Sequence, residues 1–177
     1  AFELDQSVQG PDIIGTCRGE ILRGTDAHET LRGRGGDDRI LGLIGDDRLF
    51  GDHGDDVLIG GAGLDRLTGG AGAHRFVLRC ADHAEIRGPH YETILDFSRQ
   101  EGDRIDLRRI DADEERPGNQ RFTFVGDDEL TAPGQLRVTV LHGDLLVTGN
   151  VDADPAADFA FLVRGEIAHL GASDFLL

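Results

Sequence analysis

Acids recur every nine residues through the first half of this chain: Glu20, Glu29, Asp38, Asp47, Asp56 and Asp65, with His74 in the next place. Carboxylates held at so short an interval, with glycines around them, suit one kind of chemistry best. They are hard oxygen donors for a divalent cation that takes many ligands and tolerates irregular geometry, which describes calcium better than magnesium. No nucleophile–base pair, phosphate loop or pair of catalytic carboxylates stands out beside them. The seven histidines show no zinc-ligand spacing such as H-E-x-x-H and read as structural or solvated.

The elements that must position these acids follow from the same period. Seven nine-residue units run from Gly15 to Val77, opening on Gly15, Gly24, Gly33, Gly42, Gly51, Gly60 and Gly69. The eighth place is always large and apolar: Leu22, Leu31, Ile40, Leu49, Leu58, Leu67 and Phe76. Nine residues suit half a coil, a tight turn followed by a three-residue strand with the eighth residue inward and its neighbours outward. Glycines at places one and four would supply positive φ and let carbonyls approach an ion. Two units make a coil, so turns 18 residues apart stack at roughly 4.8 Å. Asp38 then lies beside Asp56 on one edge, and Asp47 beside Asp65 on the other. Two such charges repel by on the order of 1 kcal/mol in bulk water and more at a lower dielectric. A roll that is loose without calcium and ordered with it is therefore expected.

The unit resembles the calcium-binding parallel β-roll nonapeptide G-G-x-G-x-D-x-U-x, a register held here through seven repeats. The pattern is degraded at its start, where Arg18 and Ala27 replace the fourth-place glycine. The fragment Gly10-Pro-Asp-Ile-Ile14 is expected to lie out of frame, as a cap over residues 1–14. Residues 78–92 read as loop. Strand-like runs follow at 93–97, 104–107, 121–125, 136–141, 145–148, 158–163 and 173–177, and His142-Gly143-Asp144 reads as a hairpin turn. The fold expected is all-β, a parallel β-roll over residues 1–77 continuing into a β-sandwich-like part over 78–177.

A net charge of −16 argues against nucleic acid and anionic membrane as partners. All 18 basic residues are arginine, and Arg39, Arg48, Arg66 and Arg75 are expected to form solvated faces beside the acidic turns. No 18-residue apolar run and no charged-then-apolar leader is present, so neither stable membrane insertion nor an N-terminal signal peptide is expected. Cys17 and Cys80 would stand some 17 Å apart at about 4.8 Å per coil, too far for a disulfide. The run Asn150-x-Asp152-x-Asp154 with Asp158 has partial EF-hand spacing. Pro155 and Phe161 spoil it, and it reads as an acidic turn before a strand.

The second half extends the resemblance. Gly69–Val77, Glu92–Phe97, Gly102–Leu107, Phe122–Gly126, Gly134–Arg137, Asp158-Phe159 and Ala172–Leu177 look like the C-terminal domain of the serralysin metalloproteases. The same module is found on secreted lipases and mannuronan epimerases. In that family one turn offers carbonyls from places two and four with its carboxylate, and the turn 18 residues on offers carbonyls from places one and three with its own. Carried over, one strong site is Arg34, Gly36 and Asp38 with Gly51, His53 and Asp56. The other is Leu43, Gly45 and Asp47 with Gly60, Ala62 and Asp65. Weaker sites pair Thr16, Arg18 and Glu20 with Gly33, Gly35 and Asp38, and Thr25, Ala27 and Glu29 with Gly42, Ile44 and Asp47. A last one, with Asp52, Gly54, Gly69 and Ala71, is put in doubt by His74, with Asp82 the nearest substitute ligand. The resemblance implies a non-enzymatic, calcium-dependent folding module of an extracellular protein, secreted by a type I exporter, of the kind appended to upstream catalytic domains such as metalloproteases, lipases or epimerases. The C-terminal Asp174–Leu177 would be the export signal. The alternative is a carbohydrate-binding or substrate-guiding module.

Overall fold

The computed structural model describes residues 9–79, 91–113, 116–154, 156–165 and 167–177. Eight strands build the roll: β1 (Ile13–Ile14), β2 (Ile21–Arg23), β3 (Thr30–Gly35), β4 (Arg39–Ile44), β5 (Arg48–His53), β6 (Val57–Ala62), β7 (Arg66–Ala71) and β8 (Arg75–Val77). Seven follow: β9 (Glu92–Ile94), β10 (Arg104–Asp106), β11 (Thr123–Gly126), β12 (Gln135–Leu141), β13 (Asp144–Asn150), β14 (Phe159–Val163) and β15 (Phe175–Leu176).

Odd and even roll strands alternate between two parallel sheets with an 18-residue register. Leu31 pairs with Leu49 and Leu49 with Leu67 on one sheet, Ile40 with Leu58 and Leu58 with Phe76 on the other. The eighth-place side chains from Leu31 to Phe76 have no exposed surface. They meet as a thin core between the sheets that no single unit could bury. Leu22, in the degraded first unit, is only partly buried.

Two expectations are corrected. Ile13 pairs with Leu31 at the 18-residue step, so the opening segment keeps the frame although its glycine is displaced. The full roll strands have six residues, not three, because places one to three pair onward: Arg34 with Asp52, Gly35 with His53. The turn therefore closes over places four to six.

Both sheets continue past Val77. The order β1-β3-β5-β7-β9-β14-β13-β12-β11 makes a nine-stranded sheet, and β2-β4-β6-β8-β10-β15 a six-stranded one. One apolar cluster runs from Leu31 through Phe97, Leu136, Phe161 and Phe175. The strands after residue 91 fall where the alternation puts them, with ends shifted by one to three residues. His142 (φ 54°) and Gly143 (φ 97°) join antiparallel β12 and β13 in the left-handed conformation of a two-residue hairpin turn. The expected strand at 173–177 is a 3-10 turn over Ala172–Asp174 followed by β15. The loop expected at 78–92 and Cys80 fall largely or wholly outside the described residues; Cys17 is an exposed free thiol.

Candidate metal centre

Each sixth-place aspartate from Asp38 to Asp65 ties two coils together. Asp38 Oδ1 accepts the backbone N–H of Glu20, and Asp56 Oδ1 that of Asp38, both at 2.8 Å. On the other edge Asp47 Oδ1 accepts from Glu29, and Asp65 Oδ1 from Asp47, also at 2.8 Å. All four aspartates are buried, at most 2% exposed. The second oxygens tell the more important story. Among the described residues, Oδ2 of Asp38 and Asp47 is buried and accepts no hydrogen bond, and Asp56 Oδ2, also buried, faces the His74 ring. Burying a polar atom unsatisfied costs about 1–3 kcal/mol, more if it is charged. Burial pushes the Asp47 carboxyl up to about 6, and raises Asp38 too, with the neighbouring Asp56 charge adding to it.

The first-place glycines explain where those oxygens point. A Cβ on Gly33 would collide with Asp38 Oδ2 and lie 2.7 Å from the carbonyl oxygen of Gly51. Gly42 stands in the same relation to Asp47 Oδ2 and the Gly60 carbonyl, and Gly51 to Asp56 Oδ2 and the Gly69 carbonyl. None of these glycines has positive φ. The expectation that place one supplies left-handed backbone is thus wrong. Its glycine keeps a cradle open between a carboxylate and the carbonyl of the next coil.

Positive φ falls instead at places two and four. At place two it is carried by non-glycine residues Arg34 (76°), Leu43 (88°) and Asp52 (71°), a conformation costing roughly 1–2 kcal/mol per residue. The strain turns alternate carbonyls along the roll. Those of Leu43 and Gly45 face Gly61 and Gly63 of the next coil, and those of Asp52 and Gly54 face Gly70 and Gly72. The Gly51 and His53 carbonyls face back toward Gly33 and Gly35. Places two and four point forward, places one and three backward. Thr16, Arg18, Thr25 and Ala27 lack the left-handed backbone, so the first two turns are differently shaped. There Glu20 and Glu29 fold back onto the N–H groups of Thr16 (2.7 Å) and Thr25 (3.0 Å), and Glu29 also accepts from the Thr25 hydroxyl.

The residues fit a calcium ion. Carboxylates with forward- and backward-facing carbonyls on stacked turns offer hard, oxygen-only donors. Among the described residues no three His, Cys, Asp or Glu side chains cluster as a metal site.

At the end of the repeats the two edges diverge. His74 is buried, and a Cβ on Gly69 would meet its ring where Gly51 meets Asp56 Oδ2. Its Nδ1 lies 3.3 Å from the Asp56 nitrogen and 3.4 Å from Asp56 Oδ2, and its Nε2 is buried without a hydrogen bond. Burial lowers the affinity of the ring for a proton. The bond to Asp56 and the charges of Asp103, Asp56 and Asp96 outweigh that and raise it. Asp82 lies outside the described residues.

Two residues that the period hides continue the ladders. Asp103 Oδ1 accepts the His74 N–H at 2.8 Å, the bond that Asp56 makes to Asp38. Glu92 stands beside Asp65, since Arg66 pairs with Thr93 and Thr93 donates to the Asp65 carbonyl. The signal was present: Glu92-Thr-Ile94 and Asp103-Arg-Ile105 repeat the acid-x-apolar order of Asp65-Arg-Leu67.

The Asn150–Asp158 run is a chain of turns. Asn150 Oδ1 accepts from Asp152, Asp152 Oδ1 from Asp154, and Asp158 Oδ2 from Val151. At the other end, the Asp174 carboxylate is buried and gripped by Arg99, whose Nε lies 2.7 Å from Oδ1. β15 then pairs in parallel with β10. The supposed signal is therefore part of the folded edge.

The family of the RTX calcium-binding nonapeptide repeat matches residues 23–57 and 50–73. No curated protein matches the sequence. Two solution structures are similar, both subunits of the Azotobacter vinelandii mannuronan C5-epimerase. The AlgE6R3 subunit is 27% identical, over 92% of this chain and 80% of that one, with a TM-score of 0.44. The AlgE6R2 subunit is 29% identical, over 93% and 91%, with a TM-score of 0.45. Over residues 23–73 this chain is built of RTX calcium-binding nonapeptide repeats wound into a parallel β-roll that binds calcium.

Proposed function

We propose that the chain is a non-catalytic module that lets an extracellular protein be exported unfolded by a type I exporter and fold on meeting calcium outside. The observation carrying this reading is the row of buried carboxylates in which Oδ2 of Asp38 and of Asp47 accepts no hydrogen bond among the described residues. Such a row opposes folding wherever calcium is scarce and favours it where calcium is abundant. The strong sites take the Arg34, Gly36, Gly51 and His53 carbonyls with Asp38 and Asp56, and the Leu43, Gly45, Gly60 and Ala62 carbonyls with Asp47 and Asp65. The forward and backward carbonyl directions support this assignment. Residues 1–77 then bind calcium, and 78–177 cap the roll and carry the export signal at Asp174–Leu177.

The test is secretion of a reporter fused ahead of the chain. Removing Asp174–Leu177 abolishes export, whereas Arg99→Ala, which breaks the same buried ion pair but keeps the C-terminus, leaves it intact. Normal export of the truncated fusion contradicts the reading. Equal loss in both variants assigns the defect to folding and contradicts it too.

A glycan-guiding role has one observation in its favour. Arg48, Arg66 and Arg164 line a cleft of ≈ 630 Å³ with Tyr91, Leu95 and Leu162 on the nine-stranded sheet, and Asp46 and Asp47 line the same cleft. Calcium bound at Asp47 offsets part of that negative charge beside an anionic sugar. Calorimetric titration with an oligouronate in calcium tests it: saturable binding that Arg66→Gln weakens supports the role, and no heat beyond dilution removes it.

A further inference from the structure

Four arginines converge on the six-stranded sheet at a place the calcium chemistry does not use. Arg39 and Arg75 occupy seventh places on β4 and β8, two strands apart on the outer face with Val57 between them. Arg108 and Arg109 follow β10. Together with Val77 and Asp106 they line a cleft of ≈ 300 Å³.

Among the described residues, Asp106 is the one carboxylate that these four cations share. Asp106 is engaged by Arg108 in a two-pronged contact, Nε to Oδ1 at 2.9 Å and Nη2 to Oδ2 at 2.7 Å. Arg75 Nε is 4.0 Å from Asp106 Oδ2, beyond hydrogen-bonding distance, and is buried without a hydrogen-bond partner. The guanidinium groups of Arg39 and Arg109 make no hydrogen bond or ion pair among the described residues. Three cationic charges thus remain uncompensated in one cleft of a chain with 34 acids and 18 basic residues. Some arginines elsewhere are answered directly, Arg32 by Asp52, Arg164 by Asp144 and Arg99 by Asp174; what sets this cleft apart is that its four arginines share one small space. Like charges gathered without a counterion repel, and planar guanidinium forks are matched to tetrahedral oxyanions. A single carboxylate ligand would leave most of the charge unanswered, whereas a dianion answers two of the three. The volume lies at the small end for a ligand site.

We propose that the cleft formed by Arg39, Arg75, Arg108 and Arg109 around Asp106 binds a tetrahedral oxyanion of the sulfate or phosphate class. The anion is taken either free or as a monoester on a polymer. This site is independent of the calcium sites and of the export reading.

Sulfate is the probe, because phosphate precipitates calcium. Calcium-loaded protein is titrated with sodium sulfate by NMR, against sodium chloride at matched ionic strength. The expected result is saturable one-to-one binding, with the Asp106–Arg109 and Arg75–Val77 amides shifting and chloride giving no such response. Arg39→Gln with Arg109→Gln weakens sulfate at least about tenfold, while calcium-induced circular dichroism stays unchanged. Arg48→Gln with Arg66→Gln, removing the same charge from the opposite sheet, leaves sulfate binding as it was. A response that chloride reproduces overturns the proposal, as does equal weakening by the two double variants. Dextran sulfate beside free sulfate identifies the source: much tighter binding per sulfate, lost in the Arg39/Arg109 variant, marks a polymer-borne group, and equal binding a free ion.

Discussion

His74 Nδ1 lies 3.3 Å from the backbone nitrogen of Asp56, in the place where Asp56 Oδ1 lies 2.8 Å from the nitrogen of Asp38. The imidazole keeps the ladder bond and loses the second oxygen. A neutral ring accepts the Asp56 N–H; a protonated one turns the same atom toward Asp56 Oδ2 at 3.4 Å. The last turn on this edge therefore carries its own potential cation where the earlier turns need one from solution.

His74→Asp restores the missing oxygen opposite Asp56, with the Asp52, Gly54, Gly69 and Ala71 carbonyls around it. It is expected to add one calcium ion to the stoichiometry measured by calorimetry, or to tighten a weak one. An unchanged titration curve would show that the last turn forms no site even with the carboxylate restored.

Asp56→Ala removes the carboxylate shared between the Asp38 turn and the last turn, and with it the bond to the Asp38 N–H. Calcium affinity on that edge is expected to fall at least about tenfold, since ligand charge sets the affinity of such sites. Adjacent sites should weaken too, because neighbouring coils are coupled. Glu20→Ala is expected to cost less. Glu20 is already turned onto the Thr16 N–H, in a turn without left-handed backbone. Equal losses by calorimetry would contradict this ranking.

Metal-free protein should respond to pH in the opposite sense from calcium-loaded protein. Asp47 is raised from 3.8 to about 6 in the fold. Its neutral form is the one the metal-free roll tolerates, and the stability it allows is fully present below about 4 and lost as pH rises through about 6. A shift of this size corresponds to on the order of 3 kcal/mol. His74, also raised, acts in the same direction above 6.5. Chelated protein is thus expected to keep more of its β signal by circular dichroism at pH 5 than at pH 8. Calcium needs the ionised Asp47, so its stabilising effect should shrink as pH falls through about 6. A chelated β signal that grows as pH rises from 5 to 8 would oppose the account.

The roll was legible because one period served two purposes. The residues Leu31 to Phe76 that fill the core and the acids Glu20 to Asp65 at the edges share the nine-residue step, so either series predicts the other. Glu92 and Asp103 escaped because inserted residues stretch the step, to 29 between His74 and Asp103, while the contacts remain. The left-handed backbone at Arg34, Leu43 and Asp52 escaped for another reason. Local preference argues against it, and only stacking of successive coils holds it. The C-terminal run 173–177 read as a strand, but the partners that hold it were not legible. Apolar Phe175, beside Phe124 at 5.8 Å between ring centroids, and the distant partner Arg99 make it an edge strand.

The central claim is that calcium, and not the chain alone, completes this fold. Far-ultraviolet circular dichroism of the protein in chelator, then in millimolar calcium and separately in millimolar magnesium, tests it most directly. The account predicts weak β signal in chelator, a cooperative gain with calcium and little with magnesium. Full β content in chelator, with a melting temperature that calcium does not change, would contradict it.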